Sequence, residues 1–110
     1  MVNSSPKLDH AFAALSHPIR RRIVERLARG SATVGQAGAG TGVSKPAISK
    51  HLRVLEEANV VVRVVDGREH RLSLNAGSLD GASDWIERQR ELWERKFDVV
   101  EAYLEERKRR

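Results

Sequence analysis

Cysteine is missing from this 110-residue chain. Disulfide scaffolds, thiolate metal centres and cysteine nucleophiles are therefore excluded together. Long apolar runs are missing too. Nothing approaches the roughly 18 residues that a spanning helix needs, so no membrane segment is expected. The opening residues, MVNSSPKLDH, lack the apolar centre of a secretory signal, and a cytoplasmic location is the expectation. Repeats, low-complexity tracts and dividing linkers are absent as well, and the length suits a single domain over 1–110. Acidic charge is in short supply. The net charge is +5 and the sequence pI is about 10.2, which points toward polyanions. The excess is uneven. Residues 1–75 hold twelve Lys/Arg against six Asp/Glu, whereas residues 76–110 hold eight against nine. The last third is thus expected to do a different job from the rest.

The basic part is organised around Ser44–Asn59, SKPAISKHLRVLEEAN. Ser44 has the chemistry of an N-cap, Pro46 fits a first helical turn, and Asn59 suits a left-handed stop. Ile48, Leu52 and Leu55 recur at spacings of four and three and predict one buried stripe. The opposite face carries Lys45, Ser49, Lys50 and Arg53. A helix with a short, polar, cationic face suits a DNA major groove. A plain solvated surface is the alternative for the helix taken alone.

Upstream, a first helix is expected to start at Ser4 or Ser5 and to place Leu8, Phe12 and Leu15 on one face. Ser16-His17-Pro18 interrupts it, because a residue before proline is pushed out of helical space. A second helix should then run from Pro18 to Gly30, with Ile19, Ile23 and Leu27 inward. Arg20, Arg21, Arg22, Arg26 and Arg29 decorate it, either to meet phosphates or for solubility and pairing with Glu25. Thr33 can cap a third helix from Val34 to about Thr41. Its glycines at 35, 38 and 40 weaken helix propensity; they either allow close packing on the next helix or leave this one poorly ordered. The run GAGTG is no nucleotide loop, since no strand precedes it and no lysine follows at the required spacing. Two helices joined by a short turn at Gly42-Val43, the second amphipathic and basic, make a helix-turn-helix.

After Asn59 the residues become β-branched: Val60, Val61, Val62, Val64 and Val65 favour a strand. Asp66-Gly67 predicts a two-residue hairpin turn, and His70, Leu72 and Leu74 alternate inward on the return strand. The hairpin forms a wing. Arg63 and Arg68 on it are candidates for DNA contact, with charge that keeps an edge strand soluble as the alternative. From Ser78 onward one long helix is expected, with apolar pairs every seven residues at Trp85-Ile86, Leu92-Trp93 and Val99-Val100, widened by Phe97, Tyr103 and Leu104. About 25 helical residues span near 38 Å, more than so small a domain can cover. A second copy of the chain is the favoured cover, giving a homodimer. Folding wholly onto its own domain is the alternative. The terminal RKRR is expected to fray.

Taken together, ALSHPIRRRIVERLARG, TVGQ, VSKPAISKHLRVLEEANVV and DGREHRLSL resemble the ArsR (arsenic-repressor-like) winged-helix regulators, over about residues 8–75. Ser49, His51, Leu52 and Leu55 carry the more specific part of the match. The resemblance implies a mainly α fold with a β-hairpin wing, a winged helix-turn-helix in the order α-α-α-α-β-β-α. It implies a homodimer joined through the first and last helices. On that basis Leu8, Phe12, Trp85, Ile86, Trp93, Phe97, Val100 and Leu104 are the expected interface, within a C-terminal helix at 78–108. The Trp-bearing last helix resembles a metal-independent branch. The family's thiolate sensors need cysteines that this chain lacks, and its last helix has Asp84, Glu87 and Glu91 but no histidine.

The function implied is sequence-specific binding of double-stranded DNA by a repressor on an inverted-repeat operator, with an unknown inducer as a possible further partner. Ser44, Lys45, Ser49, Lys50, Arg53, Arg63 and Arg68 are the expected contacts. No cofactor and no metal site is expected. Two alternatives stay open: a winged-helix module for an acidic protein partner, and a sensor using His10 or His17 with carboxylates. An enzyme is not expected, because Ser49 and His51 sit two apart on a helix and face different ways.

Overall fold

A computed structural model describes residues 6–109; the expected helix start at Ser4 or Ser5 and the last residue of RKRR lie outside them. The chain divides between Asp80 and Gly81 into two compact units. The first begins with α1 (Pro6–Leu15) and α2 (Pro18–Ala28), followed by a two-residue strand β1 (Ala32–Thr33). Then come α3 (Val34–Gly38), α4 (Lys45–Glu57) and the strands β2 (Val61–Asp66) and β3 (Glu69–Leu74). A single 3-10 turn at Ala76–Leu79 leads to α5 (Asp80–Arg109).

The boundaries follow from local chemistry. Ser44 Oγ accepts from the Ala47 N–H, and a proline in the first turn gives up no needed bond. Asn59 takes φ +59° just past the helix end. Thr33 and Gln36 exchange side-chain and backbone bonds in a capping box that starts α3. This helix stops at Gly38, earlier than the expected Thr41, because glycines with positive φ at 40 and 42 turn the chain. The absent side chain at Gly38 has a structural use. A Cβ there would lie 3.0 Å from Ile48 Cγ1, so a larger residue at 38 would push the Ile48 side chain of α4 aside by a few tenths of an ångström.

The core of this unit is built from Ile23 and Leu27 of α2, Ile48, Leu52 and Leu55 of α4, and Val60, Val61 and Leu72 at the base of the wing. Small residues fill the gaps at Ala14, Ala32 and Ala37. In α1 the buried residues are Ala11 and Ala14, not the larger Leu8, Phe12 and Leu15. Leu8 and Leu15 are half-buried and Phe12 is exposed.

The sheet has three antiparallel strands in the order β1-β3-β2, one more than the hairpin expected. Ala32 pairs with Leu72 and Thr33 with Arg71. Two residues, one of them alanine, carry no strand signal; pairing with β3 makes them one. The hairpin turn is shifted by one residue from the expected Asp66-Gly67. Asp66 pairs with Glu69, so Gly67 and Arg68 form the loop, with Gly67 at φ +63°. Positive φ at the first loop position alone is the II′ arrangement, which needs glycine there and accepts arginine next.

The second unit is a helix. With 30 residues α5 is about 45 Å long, and it stays helical through Arg109 where fraying was expected. Trp93 and Phe97 stack along it with ring centroids 6.1 Å apart. The Arg107 guanidinium lies over the Tyr103 ring at 5.9 Å. Among the described residues no helix is long and apolar enough to cross a membrane.

Candidate nucleic-acid interface

The two sides of α4 separate cleanly. Ile48, Leu52 and Leu55 are buried, whereas Lys45, Ser49, Lys50 and Arg53 are exposed. Lys45, Ser49 and Arg53 lie one turn apart along a line, and Lys50 stands 100° around from Ser49. The structure thus gathers four of the expected contacts on one accessible face. Ser44 stands at the head of that face. Its oxygen accepts from Ala47 N at 3.3 Å, which leaves the hydroxyl hydrogen free to donate. Arg68 is exposed at the wing tip.

Arg63 is placed differently from the expectation. It lies on the inward side of β2, half-buried, and its guanidinium is already engaged. Nε donates to Glu56 Oε1 of α4 at 3.1 Å, Nη2 donates to the same oxygen, and Nη1 donates to His70 Nδ1 of β3 at 3.0 Å. Inward-facing residues alternate on a strand, and position 63 shares the phase of buried Val61. Its side chain therefore points toward α4.

The arginines of α2 divide in a similar way. Arg20 donates to the Ala13 and Ala14 carbonyls and to Ser16 Oγ, and Arg21 Nη1 donates to the Leu15 carbonyl at 2.7 Å. These are the orphan carbonyls at the end of α1, where cations are favoured. Arg26 donates to the Gly30 carbonyl at the end of its own helix. Arg22 and Arg29 make no such bond among the described residues.

His17, which the sequence offered as a sensor ligand with carboxylates, instead faces His51 of α4. His17 caps α2, its Nδ1 accepting from Ile19 N at 3.1 Å. Its ring lies 4.4 Å from that of His51. Arg20 Nη1 is 3.1 Å from His51 Nδ1; since a guanidinium can only donate, Nδ1 accepts and the ring is neutral. The single sequence hint was Ser-His-Pro, where a residue ahead of Pro at the helix start must cap it. Burial of the His51 ring, the neighbouring His17 and the Arg20 charge all push its pKa below the ordinary 6.5. No carboxylate contributes to that shift. The unfolded chain therefore binds a proton that the folded unit resists. The stabilising contribution is fully present above about pH 6.5 and is lost as the pH falls below it toward the depressed folded value. Urea melts at pH 8 and pH 5.5 are expected to show lower stability in acid. In His51→Gln, whose amide oxygen accepts the Arg20 bond without titrating, the difference should shrink. An equal pH dependence in both proteins would remove His51 from the explanation.

On α5 the large apolar residues face water: Trp85, Ile86, Leu92, Trp93, Phe97, Val99, Val100, Tyr103 and Leu104 are between 41% and 69% exposed. Contiguous exposure of that size marks an interaction surface. Among the described residues no group of three or more His, Asp or Glu side chains is placed to hold a metal ion.

With this geometry in hand, similarity to known proteins is informative. A helix-turn-helix domain family matches residues 15–65. The transcriptional repressor SdpR of Bacillus subtilis (strain 168) is 34% identical over 79 residues, which is 72% of this chain and 88% of that protein. A solved ArsR family transcriptional regulator superposes with a TM-score of 0.75 at 31% identity, covering 80% of this chain and 97% of the other. An ArsR-like transcriptional regulator from Rhodococcus sp. RHA1 gives 0.73 at 31% identity, covering 86% and 89%.

Proposed function

Because the chain belongs to the ArsR family of helix-turn-helix transcriptional regulators, we propose that it represses transcription as a homodimer bound to an inverted-repeat operator. The observation that carries this reading is the exposed Lys45, Ser49, Lys50 and Arg53 face of α4, seated on the buried stripe Ile48, Leu52 and Leu55. Arg53 or Lys50 reads guanine in the major groove, and Ser44 and Ser49 bond phosphate or a base edge. Arg68 at the wing tip adds a backbone contact. Repression follows from occupying promoter DNA. The protein acts in the cytoplasm, where that DNA is. The absence of cysteine removes the thiolate route to metal sensing.

Dimerisation supplies the second half of recognition. Two copies joined along α5 bury its apolar face and set two recognition helices about 34 Å apart, one turn of duplex. Leu8 and Phe12 of α1 belong to the proposed interface with Trp85, Ile86, Trp93, Phe97, Val100 and Leu104. Trp93 is 63% exposed in the single chain, so replacing it should leave the protomer folded. Sedimentation of Trp93→Ala is expected to show a shift toward monomer; an undisturbed dimer would remove Trp93 from the interface.

The direct test of function is selection of bound fragments from random duplex DNA. Two half-sites of mirrored sequence, with centres about 10 base pairs apart, are the expected product. Affinity for the selected duplex should fall steeply with salt. Recovery of no enriched sequence, with no duplex binding even at low salt, would favour an acidic protein partner instead.

A further inference from the structure

The wing is held to α4 at two levels. Its base is packed in the core through Val60, Val61 and Leu72. Beyond Arg63 on β2 every residue to the tip is exposed, and on the return strand His70 is the outermost partly buried residue. Arg63 and His70 thus mark the boundary between the anchored base and the free tip. At that boundary Arg63 spans to Glu56 on α4 and to His70 on β3. The Arg71–Glu69 and Arg90–Glu87 pairs, in contrast, each stay within one element.

We propose that Glu56 and Arg63 are positioning residues for DNA recognition: together they form a strut that holds the wing tip, and with it Arg68, in fixed relation to the cationic face of α4. The proposal rests on the DNA-binding reading given above. Its physical basis is geometric. A partly exposed ion pair contributes little to stability, but this one closes a triangle among α4, β2 and β3. Without it the β2 side of the hairpin has no tie to α4 beyond its base, β3 being held by β1 at Leu72 and Arg71, and Arg68 samples a wider arc. Each wing contact with phosphate then carries an additional ordering cost. The bond to Arg63 also offsets the repulsion that the Glu56 carboxylate on a DNA-binding helix would exert on phosphate.

That repulsion makes the test decisive, because electrostatics and geometry predict opposite signs. Glu56→Ala removes a negative charge and frees Arg63, so charge alone would tighten binding. The strut predicts weaker binding. Fluorescence anisotropy with the duplex recovered from random DNA is expected to show about a tenfold loss for Glu56→Ala and about fivefold for Arg68→Ala. The double variant should lose only about tenfold, well short of the product, because the second change removes a contact the first has already loosened. Arg63→Lys keeps the net charge but cannot reach both partners, and it should behave like Glu56→Ala. Thermal melts of all variants should stay near that of the parent. Unchanged or tighter binding by Glu56→Ala, or penalties that multiply with Arg68→Ala, would overturn the strut. A parent protein that binds no duplex would overturn both this proposal and the reading beneath it, and the parent control alone distinguishes that case.

Discussion

A protein carrying both Lys50→Ala and Arg53→Ala is expected to bind its selected duplex about a hundredfold more weakly than the parent, and to melt at the same temperature. Both side chains are exposed on α4, so the core does not register their loss. A good side-chain contact to a base edge discriminates by about 1–3 kcal/mol, and two contacts of about 1.4 kcal/mol each amount to about a hundredfold. The salt dependence offers a second readout. If both groups sit at the duplex, the slope of log affinity against log salt should fall in magnitude by about two. Lys96, on α5 and exposed, supplies the control: Lys96→Ala removes a like charge from the other unit. Equal affinity losses in the control and the double variant would reduce the α4 face to bulk charge.

Leu52→Ala should have the largest effect on folding. Leu52 is fully buried and lies with Ile23, Leu55, Val60 and Leu72 among the largest fully buried side chains. Truncating such a leucine costs about 2–5 kcal/mol, through lost transfer energy and the cavity left behind. In a domain this small each kcal/mol shifts the melting temperature by about 4–8 °C, so a drop well above 10 °C is expected by calorimetry. Val64 is an apolar residue at 58% exposure, and Val64→Ala should change stability by less than about 0.5 kcal/mol. Similar melting shifts for the two variants would mean that the stripe on α4 is not the centre of the core. The prediction also bears on function, because the stripe and the cationic face are opposite sides of one helix. Loosening the first should weaken DNA binding near the melting range even with every surface residue intact.

Much of this architecture was legible beforehand because it is local. Ser44, Pro46 and Asn59 bound α4 by chemistry confined to a turn or two, and Thr33 with Gln36 starts α3 in the same way. The stripe Ile48, Leu52 and Leu55 follows from helical period alone. Where the reading missed, the cause lay at a distance in the chain. β1 exists only as a partner of β3, some 40 residues on. The hairpin turn moved by one residue because pairing of Asp66 with Glu69 set the register, a contest that Asp-Gly composition alone does not decide.

Charged residues divide along the same line. From the sequence, the basic excess, the cationic face of α4 and the apolar heptads of α5 were all evident, since each is a matter of which residues stand at which spacing. Which arginines are available for phosphate was decided only in three dimensions. Arg20 and Arg21 bond the open carbonyls of α1, and Arg63 bonds Glu56 and His70. Composition counts a guanidinium as a charge wherever it occurs. Its five donors are spent on whatever acceptors the fold brings within about 3 Å, and no pattern of neighbours in the chain specifies those acceptors.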